Sequence, residues 1–278
     1  MNEIKEKFKV FDEWTSYLKN YEDEQYKETV VGIVDILGFS SFVIKDELAP
    51  KKIIKIISTS MMINNSSFPQ NIKYKMLSDT LIVYCDEPTE NNIFRIICAL
   101  ENFRLILLEE GFLCRGAIVI GKNYINTDIL VSQAFINAYK IEEEVCNYPR
   151  IIVSSEVMEV IKPAIINNIQ EKSNNIFIRD LVIKDNVDNE YIVAPFIGIP
   201  EIATFIFKDY NYYANKMKYT KIMNKYKKGL MKCIETSVCD RKIKQKINYF
   251  IEYYNSILEK STKLNMDKSD LFLQKLDM

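Results

Sequence analysis

Asp35 and Asp79 are the residues of this chain whose setting most suggests chemistry. Asp35 closes an apolar β-type run from Thr29 to Ile36 and is followed by a tight turn at Gly38 and Phe39. Asp79 stands at a Ser78-Asp79 turn between two strand-like runs, 72–77 and 79–85. If the first strand lies beside that hairpin, the two carboxylates converge. Two partly buried carboxylates repel each other unless a cation offsets them, so the pair implies Mg²⁺ or Mn²⁺, two ions per site. Two such ions in turn make a site for a nucleoside triphosphate. Either aspartate alone reads as a turn residue; the two in this order and strand context read as a site.

Composition removes several alternatives. The 278 residues include no histidine, which excludes Ser-His-Asp and Cys-His triads and His-ligated zinc. Chemistry must run on carboxylates, Lys, Arg, hydroxyls or bound metal. The six cysteines form no CxxC pair and read as reduced core thiols. Charged residues make up 27% and nearly balance, net −1, so a nucleic-acid partner is not expected. Residues 1–24 are charged and lack an apolar signal core. No apolar run nears the roughly 18–20 residues that span a bilayer. The expectation is a cytoplasmic protein with no membrane span.

The elements that must position the aspartates follow from periodicity. Residues 4–20 predict an amphipathic helix, 29–36 a buried strand, and 50–64 a helix opened by Pro50. A helix over 90–110, a strand over 112–120 and a helix over 129–146 follow. A strand over 150–154 then leads into a helix capped by Ser154 or Ser155 that ends near 162. Residues 175–184 and 190–197 predict a hairpin. This order gives a ferredoxin-like α+β fold, a mostly antiparallel sheet with helices on one face. Residues 208–262 predict two or three helices. The domains are therefore an N-terminal helix (1–27), a main domain (28–200) and a C-terminal helical extension (201–278). The lysine run from Lys218 to Lys232 and the acidic Glu142, Glu143 and Glu144 read as solvated helix surface.

Several motifs resemble one family. Asp35-Ile36-Leu37-Gly38-Phe39-Ser40 is similar to the D-[IV]-x-G-[FY]-[ST] motif that opens class III adenylate and guanylate cyclases. Lys75-Met76-Leu77-Ser78-Asp79 resembles their K-T-I-G-D block, with Ser in place of Gly. Within the class, the chain looks most like the bacterial pyrimidine nucleotide cyclases of the Pycsar antiphage systems. The likeness lies in S-D-T at 78–80, R-G-A-I at 115–118, A-Y-K-I-E at 138–142 and Y-P-R-I-I-V at 148–153. It covers about residues 28–200, which would make that domain a class III catalytic domain.

The resemblance implies two metals held by Asp35, the backbone carbonyl of Ile36, and Asp79. It implies phosphate contacts from the backbone of Leu37, Gly38, Phe39 and Ser40. The product would be a 3′,5′-cyclic monophosphate made from UTP or CTP, with release of pyrophosphate. It would act on a separate effector protein in antiphage defence. The family also implies a homodimer with shared active sites, each completed by an Arg and an Asn from the second chain. Here Lys140 stands at the Arg position and Ile136 at the Asn position, with Asn137 one place off. Lys140 carries the charge without the bidentate fork, leaving Arg115 as a further catalytic candidate and Arg150 as a nucleotide-binding one. Lys75 occupies the base-reading position, where a donor-only side chain suits a pyrimidine carbonyl. Alternatives within this reading are a class III cyclase for ATP or GTP, and an inactive nucleotide sensor on the same fold. An interaction module built on the C-terminal helices is a third reading.

Overall fold

The computed structural model describes residues 26–45, 49–67, 72–125, 129–170, 182–195, 212–236, 241–260 and 271–277. The helix expected over 4–20 lies outside the described residues, as do 175–181 and 196–197 of the expected hairpin. In chain order the elements are β1 (Lys27–Ile36), α1 (Phe39–Lys45), α2 (Ala49–Ser67), β2 (Lys73–Leu77), β3 (Thr80–Cys85), α3 (Glu90–Glu109) and β4 (Cys114–Ile125). There follow β5 (Leu130–Ser132), α4 (Gln133–Glu144), β6 (Ile151–Val153), α5 (Ser155–Gln170), β7 (Val182–Lys184), β8 (Tyr191–Val193), α6 (Tyr212–Thr236) and α7 (Arg241–Lys260).

The fold is α+β. One sheet runs in the order β2-β3-β1-β4-β6-β8-β7, with β5 paired to β4. Its pairings are antiparallel apart from β4 with β6. β1 lies between β3 and β4 because it is apolar on both sides, which suits a strand covered above and below. Val30, Val34, Ile36, Leu81, Val83 and Ile118 pack under α3 and α5. On the opposite face Val31, Ile33, Ile82, Ala117 and Val119 meet Ala134 and Ala138 of α4. The helices therefore cover both faces, not one: β1 presents apolar side chains in both directions, and each set needs a cover.

Three boundaries differ from the periodicity reading. Residues 130–132 form β5 rather than the start of a helix, pairing with Asn123 to Ile125. The helix begins only at Gln133, because the Ser132 hydroxyl accepts the Phe135 N–H at 2.8 Å and caps it. That same pairing carries β4 on to Ile125, well past residue 120. α5 runs through Pro163 to Gln170, since Val157, Met158, Ile161 and Ile165 keep one helical face on the core.

The C-terminal helices share a core with the sheet domain. Leu105, Leu108 and Leu113 pack with Met223, Leu230, Ile247, Phe250 and Tyr254. The crossing of α6 over α3 is close at Gly229, where an added Cβ would lie 1.9 Å from the Leu108 carbonyl oxygen. Part of the lysine run is used here, not simply solvated. Lys225 pairs with Glu109, and Lys232 donates to the Glu109 carbonyl at 2.8 Å, at the negative end of α3. Residues 271–277 lie along α7. Asn248 donates to the Leu276 carbonyl at 2.9 Å and accepts its N–H at 2.7 Å, and Asn255 does the same for Leu273 at 2.8 and 3.1 Å.

Candidate active site

Asp35 is the penultimate residue of β1, and its cross-strand partners are Thr80 on β3 and Arg115 on β4. Directly opposed residues of neighbouring strands point to the same face. Asp35, Thr80 and Arg115 thus share the face that carries Ile33, Ile82 and Ala117 beneath α4. Asp79 arrives next to them through a two-residue hairpin in which Leu77 pairs with Thr80. Ser78 supplies the positive φ that such a hairpin needs, 56°, where glycine is the usual choice. The Ile36 N–H donates to the Asp79 carbonyl at 3.2 Å, which ties the turn to the end of β1.

Both aspartates therefore sit at one end of the sheet. Burial first, and the Asp79 charge second, push the Asp35 carboxyl from 3.8 up to about 6, against the pull of Arg115 and Lys246. The donor set suits a divalent cation. Mg²⁺ is commonly bound by one or two carboxylates with the remaining positions left to water and substrate phosphate. It does not suit a metal cage, since the described residues hold no group of three or more His, Cys, Asp or Glu side chains placed for one.

The other candidates divide. Lys75 lies opposite Ile82 and so faces the Asp35 side, while Tyr74 and Met76 pack against the core on the other face of the sheet. Gly38 turns the chain with φ 78°, and nothing stands within 4 Å of where its Cβ would be. Phe39 and Ser40 open α1 directly after it. Leu37 is a correction: its N–H donates to the Leu113 carbonyl at 2.9 Å, so it is already used within the sheet and is not a phosphate donor. Arg115 stands beside Asp35, pairs with Glu142 and donates to the Cys146 carbonyl at 3.4 Å.

Arg150 is the second correction. Its side chain is 1% exposed, and its guanidinium is held by Asp185, Asp188 and the Val145 carbonyl. A fork so occupied holds the β7–β8 turn rather than a nucleotide. Lys140 and Ile136 are exposed on the side of α4 opposite buried Ala134, Ala138 and Glu142, and Asn137 is exposed on its flank. Lys140 and Ile136 thus point away from the sheet face that carries Asp35 of their own chain.

Sequence reasoning missed Glu142. It is not solvated surface but 3% exposed, and burial pushes its carboxyl from 4.5 up to about 7 against the pull of Arg115. The signal was its phase: Glu142 follows Ala134 and Ala138 at steps of four on one helical face. The five cysteines among the described residues behave as expected, and Cys239 lies outside them. Cys85, Cys98, Cys114, Cys146 and Cys233 are buried and free, and burial raises the Cys98 thiol to about 12.

No family model matches the chain, and no curated protein matches it. Among solved structures, the guanylate cyclase domain of RhGC from Catenaria anguillulae in complex with GTP is 12% identical, with a TM-score of 0.43 over 61% of this chain and 97% of that one. The non-canonical dimeric guanylyl cyclase domain of the RhoGC fusion protein from the aquatic fungus Blastocladiella emersonii is 13% identical, with a TM-score of 0.41 over 60% and 93%. The adenylyl cyclase CyaB from P. aeruginosa is 13% identical, with a TM-score of 0.37 over 61% and 94%. At such scores the functional reading rests on the site's own residues.

Proposed function

We propose that the chain is a nucleotide cyclase of the class III type, acting on UTP or CTP. The observation that carries this is the meeting of Asp35 and Asp79 at one sheet end, with the Ile36 N–H bonded to the Asp79 carbonyl at 3.2 Å. A fold gains nothing by setting two carboxylates side by side, one of them driven up to about 6, unless a cation joins them.

When bound, divalent ions would supply charge neutralisation at the triphosphate and acidify the ribose 3′-hydroxyl. Asp35, Asp79 and the Ile36 carbonyl are the groups that would hold them. The turn at Gly38 leaves open space for phosphate beside the backbone of Phe39 and Ser40. Lys75, on the same sheet face, would donate to a base carbonyl. The 3′-hydroxyl would give up its proton to solvent, its oxygen attack the α-phosphorus in line, one P–O bond form, and the bond to pyrophosphate break. Positioning and charge suffice for this, so the absence of histidine is no obstacle.

The reading includes a homodimer with shared sites. Val131, Ile136 and Tyr139 are 57%, 55% and 47% exposed on β5 and α4, which supports an apolar contact there between two copies. Lys140, on that same exposed side, would serve the partner's site. The likeness to Pycsar cyclases adds a cytoplasmic setting and a cyclic product read by a separate effector in antiphage defence. None of the described helices is long and apolar enough to cross a membrane.

The test is turnover of purified protein with Mn²⁺ and each of ATP, GTP, CTP and UTP, with products resolved by chromatography. A cyclic pyrimidine is expected. A cyclic purine would keep the cyclase and overturn the base assignment. Triphosphate binding with no product from any of the four would replace the enzyme with a sensor.

A further inference from the structure

α7 carries a polar stripe that the two-aspartate reading does not use. Lys244, Asn248, Glu252 and Asn255 follow one another at steps of four, four and three, which keeps them on one side of the helix. Each meets the C-terminal segment, in reverse order. Lys244 donates to the Asp277 carbonyl at 3.2 Å. Asn248 accepts the Leu276 N–H at 2.7 Å and donates to its carbonyl at 2.9 Å. Glu252 pairs with Lys275. Asn255 accepts the Leu273 N–H at 3.1 Å and donates to its carbonyl at 2.8 Å.

The spacing fits an extended chain. From Asn248 to Asn255 the helix rises about 10.5 Å. From Leu273 to Leu276 an extended run spans about 10 Å. An amide that takes both the N–H and the carbonyl of one residue reads backbone alone. Selectivity is left to the leucines. Leu271 is buried, and Leu273 and Leu276 pack on the cluster of Ile247, Phe250 and Tyr254, while Gln274 and Lys275 are exposed. The same cluster receives Leu37, two residues beyond Asp35, and Leu113, whose carbonyl accepts the Leu37 N–H at 2.9 Å. The segment and the site end of β1 thus rest on one apolar body.

We propose that the Asn248–Asn255 side of α7 is a binding site for an extended, leucine-bearing peptide, that residues 271–277 are its occupant, and that their seating holds α7 against the end of β1 that carries Asp35. The binding stands on the contacts themselves; its consequence for turnover rests on the cyclase reading. With the segment seated, Leu271, Leu273 and Leu276 complete the cluster on which Leu37 rests. With it withdrawn, that cluster would meet water, α7 would loosen, and Asp35 would lose its fixed placement beside Asp79. The C-terminal extension then has a part in the site without contributing a reacting group.

The experiment uses the full chain with Leu273→Asp and Leu276→Asp together, which puts two charges where the segment seats and expels it. A fluorescein-labelled peptide of residues 270–278, with the native leucines, is added in trans, and binding is read by polarisation beside turnover of UTP and CTP with Mn²⁺. The double variant is expected to lose about 10- to 100-fold in kcat, to bind the peptide saturably, and to regain most of its turnover when bound. Adding Asn248→Ala and Asn255→Ala to it should weaken peptide binding by about 10-fold or more. No saturable binding, or equal binding with and without the two asparagines, would overturn the site. Wild-type kcat in the double variant would overturn the hold on β1 and leave the cyclase intact. If the wild type turns over none of the four triphosphates, the cyclase reading fails and with it the effect on turnover, while peptide binding still decides the site. Should the double variant not fold, amide hydrogen exchange in the wild type and in Asn248→Ala/Asn255→Ala decides instead. Exchange about 10-fold faster at Leu273 and Leu276 in the variant upholds the clamp, and equal rates overturn it.

Discussion

Ser78 holds a left-handed backbone with φ 56° so that Asp79 can face the end of β1. That conformation costs a residue with a Cβ roughly 1 kcal/mol, and glycine avoids the cost. Ser78→Gly is therefore expected to raise unfolding free energy by about 0.5–1 kcal/mol in urea titration, and a loss would contradict the turn geometry. Asp35 gives a pH prediction. Its carboxyl ionises near 3.8 when unfolded and near 6 in the fold. Between those values the native state keeps a proton that the unfolded chain has released, so stability falls as pH rises and the penalty is complete above about 6. Asp35→Asn should thus raise the metal-free melting temperature at pH 7.5, leave it unchanged at pH 3, and abolish turnover. Scanning fluorimetry in a chelator reads the first two. The aspartates were legible in sequence because a strand ending and a two-residue turn each leave a local signature. The burial of Arg150 was not. Its partners Asp185 and Asp188 come from a hairpin far along the chain, and nothing near Arg150 announces them.

Among the elements, the crossing of α6 on α3 is the most exacting contact. Gly229 brings α6 so near that a Cβ would lie 1.9 Å from the Leu108 carbonyl oxygen, and backbone there cannot yield as a side-chain tip can. Gly229→Val is expected to destabilise by about 1–3 kcal/mol, read as a lower denaturation midpoint. An unchanged midpoint would mean that α6 does not rest there. Strands and helices with strong periodicity were readable from sequence, as β1, β3 and α3 show. The boundaries set by distant partners were not. β5 exists because Leu130 to Ser132 pair with the far end of β4. The face that α4 covers was misjudged for a similar reason: the apolar run of β1 says that both faces are buried, but not by which helix.

At the scale of the molecule, the proposed site needs two copies. Lys140 points away from the carboxylate pair of its own chain, on the exposed side of α4 that also carries Ile136 and Tyr139. If each site joins Asp35 of one copy to Lys140 of the other, two dead variants complement. Asp35→Ala and Lys140→Ala homodimers, each inactive, should on mixing and re-equilibration recover up to about a quarter of wild-type turnover. Half the dimers are then mixed, and each has one intact site. No recovery despite subunit exchange would place both residues in one chain's site or remove Lys140 from it. The sequence points to such a dimer only through its resemblance to class III cyclases, because an interface made by symmetry leaves no periodic signal of its own. The central claim, that Asp35 and Asp79 jointly hold the ions on which turnover depends, is tested most directly by pyrophosphate release from UTP and CTP with Mn²⁺. Wild type, Asp35→Ala and Asp79→Ala are compared with and without chelator. Release by the wild type that stops in chelator and in both variants is expected. Release that persists in either variant, or without divalent metal, would contradict it.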